Sequence, residues 1–273
     1  MLSQRVKAAL VFVPLVLILI YFGGWVFNLF ILALLLFAAY EYTRLFRQVG
    51  YQLSLAVMLA GVGLMVVERW LFAEAYLGLL LTLLVLITAI AAFIDHERGK
   101  KDAAVVFALH LAGTLYLGWV GGGLIAIRAL DAGRGWLLTA LPSVWLADSG
   151  AYFIGKWLGV RKMAPKLSPG KSWAGLVGGI LTGTVFGALL VLLWRAVAFL
   201  PAGTPLWQGA LMGFVLAVLT PVGDLLVSLF KRTAGVKDTG SLIPGHGGIL
   251  DRIDSWIWAA LLGYYLVQLF QAL

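Results

Sequence analysis

The sequence predicts an all-α, polytopic integral membrane protein with about nine transmembrane helices. Hydrophobic residues occupy 62% of the 273 positions. Charged residues occupy 12%, against about 25% in an average soluble domain. Apolar stretches of roughly the 20 residues needed to cross a bilayer follow one another along the chain. The chain contains no cysteine, so disulfides, thiolate metal sites and cysteine nucleophiles are excluded.

The predicted spans are residues 8–22, 25–41, 53–67, 75–94, 103–127, 136–155, 173–199, 207–230 and 253–272. The first follows a short basic N-terminus and continues to Tyr21 without a small-residue cleavage site. We therefore expect a retained helix rather than a cleaved signal peptide. The sequence divides into N-terminal helices, 1–135, and a C-terminal region, 136–273. The C-terminal region contains two polar loops at 156–172 and 231–250.

Cationic residues set the predicted orientation. With the N-terminus in the cytoplasm, all but four of the 20 lysines and arginines fall on the cytoplasmic side. The four on the other side are Arg69, Arg128, Arg134 and Arg195. This asymmetry follows the positive-inside rule. We assign the net charge of +8 to orientation and to anionic lipid or nucleotide phosphates, not to nucleic acid. The predicted location is a prokaryotic plasma membrane, with the site facing the cytoplasm.

Two aspartates interrupt otherwise apolar spans. Asp148 lies eight residues before Lys156, and Asp224 lies seven residues before Lys231. A carboxylate inside a bilayer costs on the order of 2.5–3.5 kcal/mol, so it indicates function by default, with a helix–helix hydrogen bond as the structural alternative. Both aspartates are predicted about 10–12 Å below the cytoplasmic ends of their helices. We therefore expect them to share a cavity open to that side.

Further polar residues follow Asp224 on the same helix and at the start of the next one. Asp224, Ser228 and Lys231 are spaced i, i+4, i+7 and line one helix face. This stripe suits a metal–phosphate site, with a polar groove between helices as the alternative. Asp251 and Asp254 share a face at a predicted helix N-terminus, where simple capping is the alternative explanation.

A glycine-rich basic loop joins these two helices. Its charged and titratable residues include Lys231, Arg232, Lys237, Asp238 and His246. Glycine amides and cationic side chains can surround an anion. His246 is interpreted either as a phosphate hydrogen-bond donor or as a structural residue in a tight turn.

The acids on either side of this loop predict a magnesium site. Asp224, Asp251 and Asp254 supply hard oxygen ligands, and Mg²⁺ is typically held by one or two carboxylates plus substrate phosphates. We expect one or two divalent ions, and the residues leave a second, monovalent ion open.

The other polar loop carries five cations and no acid between Gly155 and Trp173. Its segment Ser168-Pro169-Gly170-Lys171-Ser172 is predicted to open a helix, where hydroxyls and a lysine suit phosphates. The glycine spacing is not that of a Walker A loop. Anchoring to anionic headgroups is the alternative role. His96 and His110 are interpreted as part of a solvated connection and its flank.

Two sets of residues in the C-terminal half resemble motifs of the phosphatidate cytidylyltransferase (CDP-diacylglycerol synthase) family. The first set is Ser228-Leu229-Phe230-Lys231-Arg232, Lys237-Asp238, Pro244-Gly245-His246-Gly247-Gly248 and Asp251-Arg252-Ile253-Asp254. The second is Asp148-Ser149-Gly150-Ala151-Tyr152, Gly155-Lys156, Ser168-Pro169 and Lys171-Ser172-Trp173. The chain departs from the family pattern at Ala174, where relatives often carry Glu, and at Ala147, where Asn commonly precedes the aspartate.

The resemblance implies that region 136–273 is catalytic and that CTP and phosphatidic acid give CDP-diacylglycerol and pyrophosphate with Mg²⁺. The implied catalytic residues are Asp224, Asp251, Lys231 and Asp254. The implied substrate-binding residues are Asp148, Lys156, Ser168, Lys171, Ser172, Ser228, Arg232, Lys237, Asp238, His246 and Arg252. A homodimer is among the assemblies expected of such an enzyme. The alternatives are a CTP-dependent lipid kinase and an ion-coupled transporter, for which broken helices and charges at the bilayer midplane would be expected.

Overall fold

The structure is a computed structural model that describes residues 13–240 and 247–273. Its helices before the hairpin are α1 Val13–Phe22, α2 Gly24–Gln48, α3 Leu55–Phe72, α4 Leu77–Glu97, α5 Ala103–Thr114, a π-helix at Leu115–Val120, α6 Gly123–Ala129 and α7 Gly133–Leu158. The remaining elements are β1 Lys162–Ala164, β2 Ser168–Ser172, α8 Trp173–Ala196, α9 Leu206–Leu219, α10 Pro221–Thr233 and α11 Leu250–Ala272.

Eight helical segments among the described residues are long and apolar enough to cross a bilayer. They correspond to the eight predicted spans from 25–41 to 253–272, so the polytopic membrane class is confirmed. Two of these segments contain more than one element: Ala103–Ala129 joins α5, the π-helix and α6, and Leu206–Thr233 joins α9 and α10. The first predicted span, 8–22, is described only from Val13 onward.

The buried core lies around α11. This helix packs against α2, α6, α7, α9 and α10. Large apolar side chains with almost no exposure, such as Leu137 and Ile257, fill the space between the helices. The α4 helix is much less enclosed and presents most of its apolar surface outward. This arrangement places α7 and α10, which carry several predicted site residues, against α11.

A short β-hairpin, which was not predicted from the sequence, interrupts the helical fold. β1 and β2 are antiparallel, with Lys162 opposite Ser172 and Ala164 opposite Ser168. The segment Ser168–Ser172 stands directly before a helix, as predicted, but it forms strand β2 and not the first turn of that helix. Pro169 has no N–H to donate and Gly170 is a poor helix former, so this segment favours extended backbone. The helix begins one residue later, because the Ser172 hydroxyl caps α8 by accepting a hydrogen bond from the Gly175 amide at 3.1 Å.

The helical segment Leu206–Thr233 is broken between α9 and α10. Pro221 begins α10, where its missing N–H costs little because the first turn of a helix has no internal acceptor for it. The Thr220 hydroxyl donates to the Leu216 carbonyl at 2.7 Å and so satisfies an acceptor at the break. Asp224 consequently lies in the first turn of a new helix.

Glycines allow α8 and α9 to pack backbone against backbone. A Cβ atom on Gly213 would overlap the Gly183 carbonyl oxygen, and one on Gly187 would overlap the Gly209 carbonyl oxygen. Small residues are the usual means of close helix packing in lipid, where apolar burial alone gives no preference for protein over acyl chains.

We predict that Gly213→Ala lowers the stability of the protein by about 1–3 kcal/mol, because the new methyl group must push α8 and α9 apart. The thermal unfolding midpoint of the purified protein in detergent measures this loss. Gly203→Ala is the matched control, since a Cβ there meets no atom within 4 Å. Equal unfolding midpoints for the two variants would show that the close packing of α8 against α9 at Gly213 contributes nothing to stability.

Candidate functional site

A cavity of about 770 Å³ lies between α7, the hairpin, α8 and the α9–α10 junction. The predicted site residues that line it are Asp148, Lys156, Ser168, Lys171, Ser172 and Asp224. Asp148 and Asp224 therefore share one cavity, as predicted. Lys162 adds a further cation to its wall. Cations and acids from two distant segments of the chain thus meet around one space.

Lys171 connects the two motifs directly. Its Nζ atom lies 2.7 Å from Asp224 Oδ2 and 3.4 Å from the Pro221 carbonyl oxygen. The other carboxylate oxygen of Asp224 accepts a hydrogen bond from the Ser228 hydroxyl at 3.3 Å. The side chains of Lys171 and Asp224 remain 24% and 37% exposed, so a ligand in the cavity can reach both.

Asp254 lies behind this ion pair and is almost fully buried. Its Oδ1 atom accepts hydrogen bonds from the Ser255 amide at 2.7 Å and from the Ser255 hydroxyl at 3.0 Å. Asp254 is close enough to Asp224 and Lys171 to sense both charges. Gly223 makes this approach possible, because a Cβ there would overlap the Asp254 carbonyl oxygen. Asp254 is not part of the cavity lining in the described residues.

Asp251 is paired with Lys231 in a second ion pair. The Lys231 Nζ atom lies 2.6 Å from Asp251 Oδ1. Asp251 Oδ2 accepts hydrogen bonds from the Thr239 amide at 2.8 Å, the Thr239 hydroxyl at 2.9 Å and the Gly248 amide at 3.1 Å. Its side chain is only 4% exposed. In this arrangement Asp251 joins the glycine-rich loop to the start of α11.

Glu41, which is not among the site residues predicted from the sequence, belongs to the same network. Although it lies on α2, its carboxylate accepts hydrogen bonds from the Ile249 amide at 3.0 Å, the Leu250 amide at 2.9 Å and the Thr239 hydroxyl at 3.1 Å. The residue is 1% exposed. It therefore caps the N-terminus of α11 from more than 200 positions away in the chain. The available signal was an acid at the end of a predicted apolar span.

The remaining predicted site residues lie outside the cavity lining. Arg232 is exposed, and its Nε atom donates to the Leu167 carbonyl at 3.4 Å, so it links α10 to the turn of the hairpin. Lys237, Asp238 and Arg252 are exposed. His246 lies outside the described residues.

His110 does not belong to a solvated connection, so that interpretation was wrong. Its ring is buried, its Nε2 atom accepts a hydrogen bond from the Ser54 amide at 2.9 Å, and its Nδ1 atom lies 2.9 Å from the Val106 carbonyl oxygen. The residue falls inside α5 and caps the start of α3. His96 is exposed at the end of α4, as predicted.

The chain is similar over nearly its whole length to a known protein family. Residues 3–270 match the model of the cytidylyltransferase family. Proteins named phosphatidate cytidylyltransferase are 36% identical in Pseudomonas aeruginosa, over 96% of this chain and 97% of the relative, and 32% identical in Synechocystis, over 98% and 97%. A protein of the same name from Haemophilus influenzae is 45% identical over 44% of this chain and 41% of its own length.

Proposed function

The chain belongs to the cytidylyltransferase family, and we propose that it transfers the cytidylyl group of CTP to phosphatidic acid. The products would be CDP-diacylglycerol, a precursor in phospholipid synthesis, and pyrophosphate. The names of relatives aligned along the whole chain support this choice of substrates. The single observation in the structure that carries the proposal is the Lys171–Asp224 ion pair in the wall of a large cavity.

The cavity offers what a reaction between two phosphates requires. Lys156, Lys162 and Lys171 line it and can neutralise the charge of the triphosphate and of the lipid phosphate. Large apolar side chains beside it, such as Trp157 and Phe153, are strongly exposed and suit contact with acyl chains. A soluble polyanion and a lipid headgroup can therefore meet at this position.

In the proposed reaction, a phosphate oxygen of phosphatidic acid attacks the α-phosphorus of CTP. A new P–O bond forms as the bond to the β-phosphate oxygen breaks, and pyrophosphate leaves with that electron pair. Such a transfer needs positioning and charge neutralisation rather than a covalent enzyme intermediate. Lys171 is suited to hold a phosphate oxygen, and Ser168, on the same strand, is suited to bind another.

The residues of the site fit Mg²⁺ in donor type. Within residues 13–240 and 247–273, no group of three or more acidic or histidine side chains is arranged so that it could hold a metal ion by itself. Mg²⁺ commonly relies on one or two carboxylates and completes its shell with substrate phosphates and water. We propose Asp224 as the main ligand, together with Asp251 and Asp254. Asp251 would bind the ion after the Lys231 ammonium group had moved away from Asp251 Oδ1. When bound, Mg²⁺ would neutralise the phosphates.

The test is the reaction of the purified protein in detergent with CTP and phosphatidic acid, with Mg²⁺ or with EDTA, and identification of both products. We expect pyrophosphate and CDP-diacylglycerol, formed only with the metal. Release of CDP together with a phosphorylated lipid would contradict cytidylyl transfer and support a lipid kinase. A preparation without the protein, made in the same way, controls for contaminating activity.

We further propose that this site faces the cytoplasm, because CTP is found there and because the basic loops of the site follow the positive-inside rule. Cysteine labelling suits this question, since the chain has no native cysteine. A single cysteine at the exposed Lys237 should react with a membrane-impermeant reagent only in inverted vesicles. Labelling of this cysteine in intact cells would show that the site faces the other side of the membrane and would contradict the proposal.

A further inference from the structure

A second cavity lies at the opposite ends of the helices that carry the first. Its volume is about 720 Å³, and its lining includes Arg134 near the start of α7 and Arg195 near the end of α8. The first cavity instead uses the end of α7 and the start of α8. From Arg134 to Gly155, α7 rises about 30 Å, which is the thickness of the hydrocarbon core of a bilayer. The two cavities therefore face opposite membrane surfaces.

Three arginines line this second cavity without a carboxylate to neutralise them. Arg128, Arg134 and Arg195 belong to a lining that contains no acidic residue. None of the three forms an ion pair with any described residue. Segments 1–12 and 241–246 contain no Asp or Glu. Arg128 and Arg134 are close enough to repel each other. The arginine cavity, defined by these three residues, thus concentrates positive charge, and Asp131, in the loop beside it, forms no ion pair with a described residue.

Aromatic and backbone groups hold two of these guanidinium groups in place. The Arg134 guanidinium carbon lies 4.3 Å from the centre of the Phe199 ring and 5.1 Å from that of Tyr21. Arg128 donates from Nε to the Ile20 carbonyl oxygen at 2.9 Å. Cation–π contacts occupy the face of a guanidinium and leave its N–H donors at the edge free to bind an acceptor. The charges are therefore already positioned for an anion.

The backbone of the arginine cavity is also unusual. Ala132 and Ala198 both line it and both have left-handed conformations, with φ angles of 52° and 57°. Alanine is rarely found in this region, and such strain is concentrated at binding and active sites.

The distribution of cations on this side of the membrane also indicates that the arginine cavity binds an anion. In the predicted topology only four cations lie here, as the positive-inside rule favours. Arg69 pairs with Glu74. The other three all line the arginine cavity. Their convergence at one place indicates an anionic ligand rather than a signal for orientation, because cations on this side oppose the orientation rule.

We propose that the arginine cavity binds the phosphate group of an anionic phospholipid from the leaflet opposite to the first cavity. Arginine presents planar, forked donors that match phosphate oxygens. The apolar part of the wall, including Leu130 and Leu200, suits the glycerol and the first acyl carbons. Phe22, also in the wall, is 75% exposed where lipid would surround it. Inorganic phosphate shares the chemistry of the headgroup but lacks the apolar part. The proposal does not depend on the reaction at the first cavity.

Native mass spectrometry of the delipidated, full-length protein tests this proposal by measuring the affinity for added phosphatidylglycerol or phosphatidylcholine. We expect one phosphatidylglycerol to bind more tightly than phosphatidylcholine. Arg195→Gln should weaken that binding by about tenfold, the effect of losing a charge-assisted hydrogen bond. Within the described chain the Arg195 side chain forms no ion pair or ring contact, so the fold should survive, and an unchanged unfolding midpoint checks this.

Arg98→Gln is the matched control, because it removes the same charge from an exposed position at the end of α4 on the other predicted side. It should leave phosphatidylglycerol binding unchanged. Equal affinities of the wild type and Arg195→Gln, or an equal loss in Arg98→Gln, would overturn the proposal. Displacement of the lipid by inorganic phosphate at equal concentration would show a site for a soluble anion and would overturn the assignment to a lipid.

Discussion

Asp224→Asn should reduce cytidylyl transfer by about a thousandfold or more while leaving the protein folded and inserted. Asn keeps the size of the side chain but removes the negative charge that faces Lys171 at 2.7 Å. It also replaces one carboxylate oxygen by an amide nitrogen, which cannot act as a ligand for Mg²⁺. The initial rate of CDP-diacylglycerol formation at saturating CTP measures the effect.

Asp95→Asn provides the matched control for this substitution. Asp95 also pairs with a lysine, Lys100 at 2.9 Å, but at the end of α4 and outside the cavity lining. The Asp95→Asn variant should form CDP-diacylglycerol at a rate near that of the wild type. A near-normal rate for Asp224→Asn, in a preparation that gives the expected products, would refute the assignment of this cavity as the active site. The family membership of the chain would remain, since it does not depend on Asp224.

Glu41→Ala should cause a large loss of stability, about 3 kcal/mol or more, although Glu41 belongs to neither motif. The substitution removes the acceptor for the Ile249 and Leu250 amides and one of the two acceptors within reach of the Thr239 hydroxyl. The hydrogen bonds to the Leu250 amide and the Thr239 hydroxyl are buried, and the one to the Ile249 amide is partly buried, so water cannot readily replace a lost carboxylate. The thermal unfolding midpoint in detergent, at a fixed lipid content, measures the loss.

Two further variants show whether the effect comes from hydrogen bonding at α11. Glu41→Gln keeps one acceptor oxygen and should give a midpoint between those of the wild type and Glu41→Ala. Glu97→Ala, at an exposed position near the end of α4, should leave the midpoint unchanged. If Glu41→Ala unfolded no earlier than Glu97→Ala, the cap seen in the structure would not contribute to stability.

The sequence allowed the first cavity to be predicted because its chemistry is costly in lipid. Asp148 and Asp224 stand out in apolar spans, and helix geometry gives their depth from the distance to the next lysine. Lys171 stands out in a loop rich in cations. Such signals are local, so they can be detected without knowledge of which helices pack together.

The contacts that the sequence could not reveal depend on distant parts of the chain. Glu41 lies at the end of an apolar segment, and its partners are about 200 residues away. His110 lies close to a charged loop, yet it is buried because α3 begins against it. The hairpin was missed because a short strand between two long helices has too few residues to show a repeating pattern.

A broken span is expected of transporters, and this member of an enzyme family also has one, at Thr220. The break does not distinguish the two classes here. It begins a new helix at Pro221, so that the first turn of that helix, with Asp224, lies in the cavity wall. A break in a membrane-spanning helix can therefore position a carboxylate either to bind an ion or to hold a substrate.

Two ion pairs hold four of the predicted site residues in the resting structure. Lys171 compensates Asp224, and Lys231 compensates Asp251. A phosphate that arrived alone would draw a lysine away and leave a carboxylate without a partner, and a divalent ion alone would do the same to a lysine. An ion and a polyphosphate that arrive as one complex exchange partners with both members of a pair. We therefore expect these two pairs to favour a complex of a cation with a polyphosphate over either ion alone, before any contact with the base or the sugar.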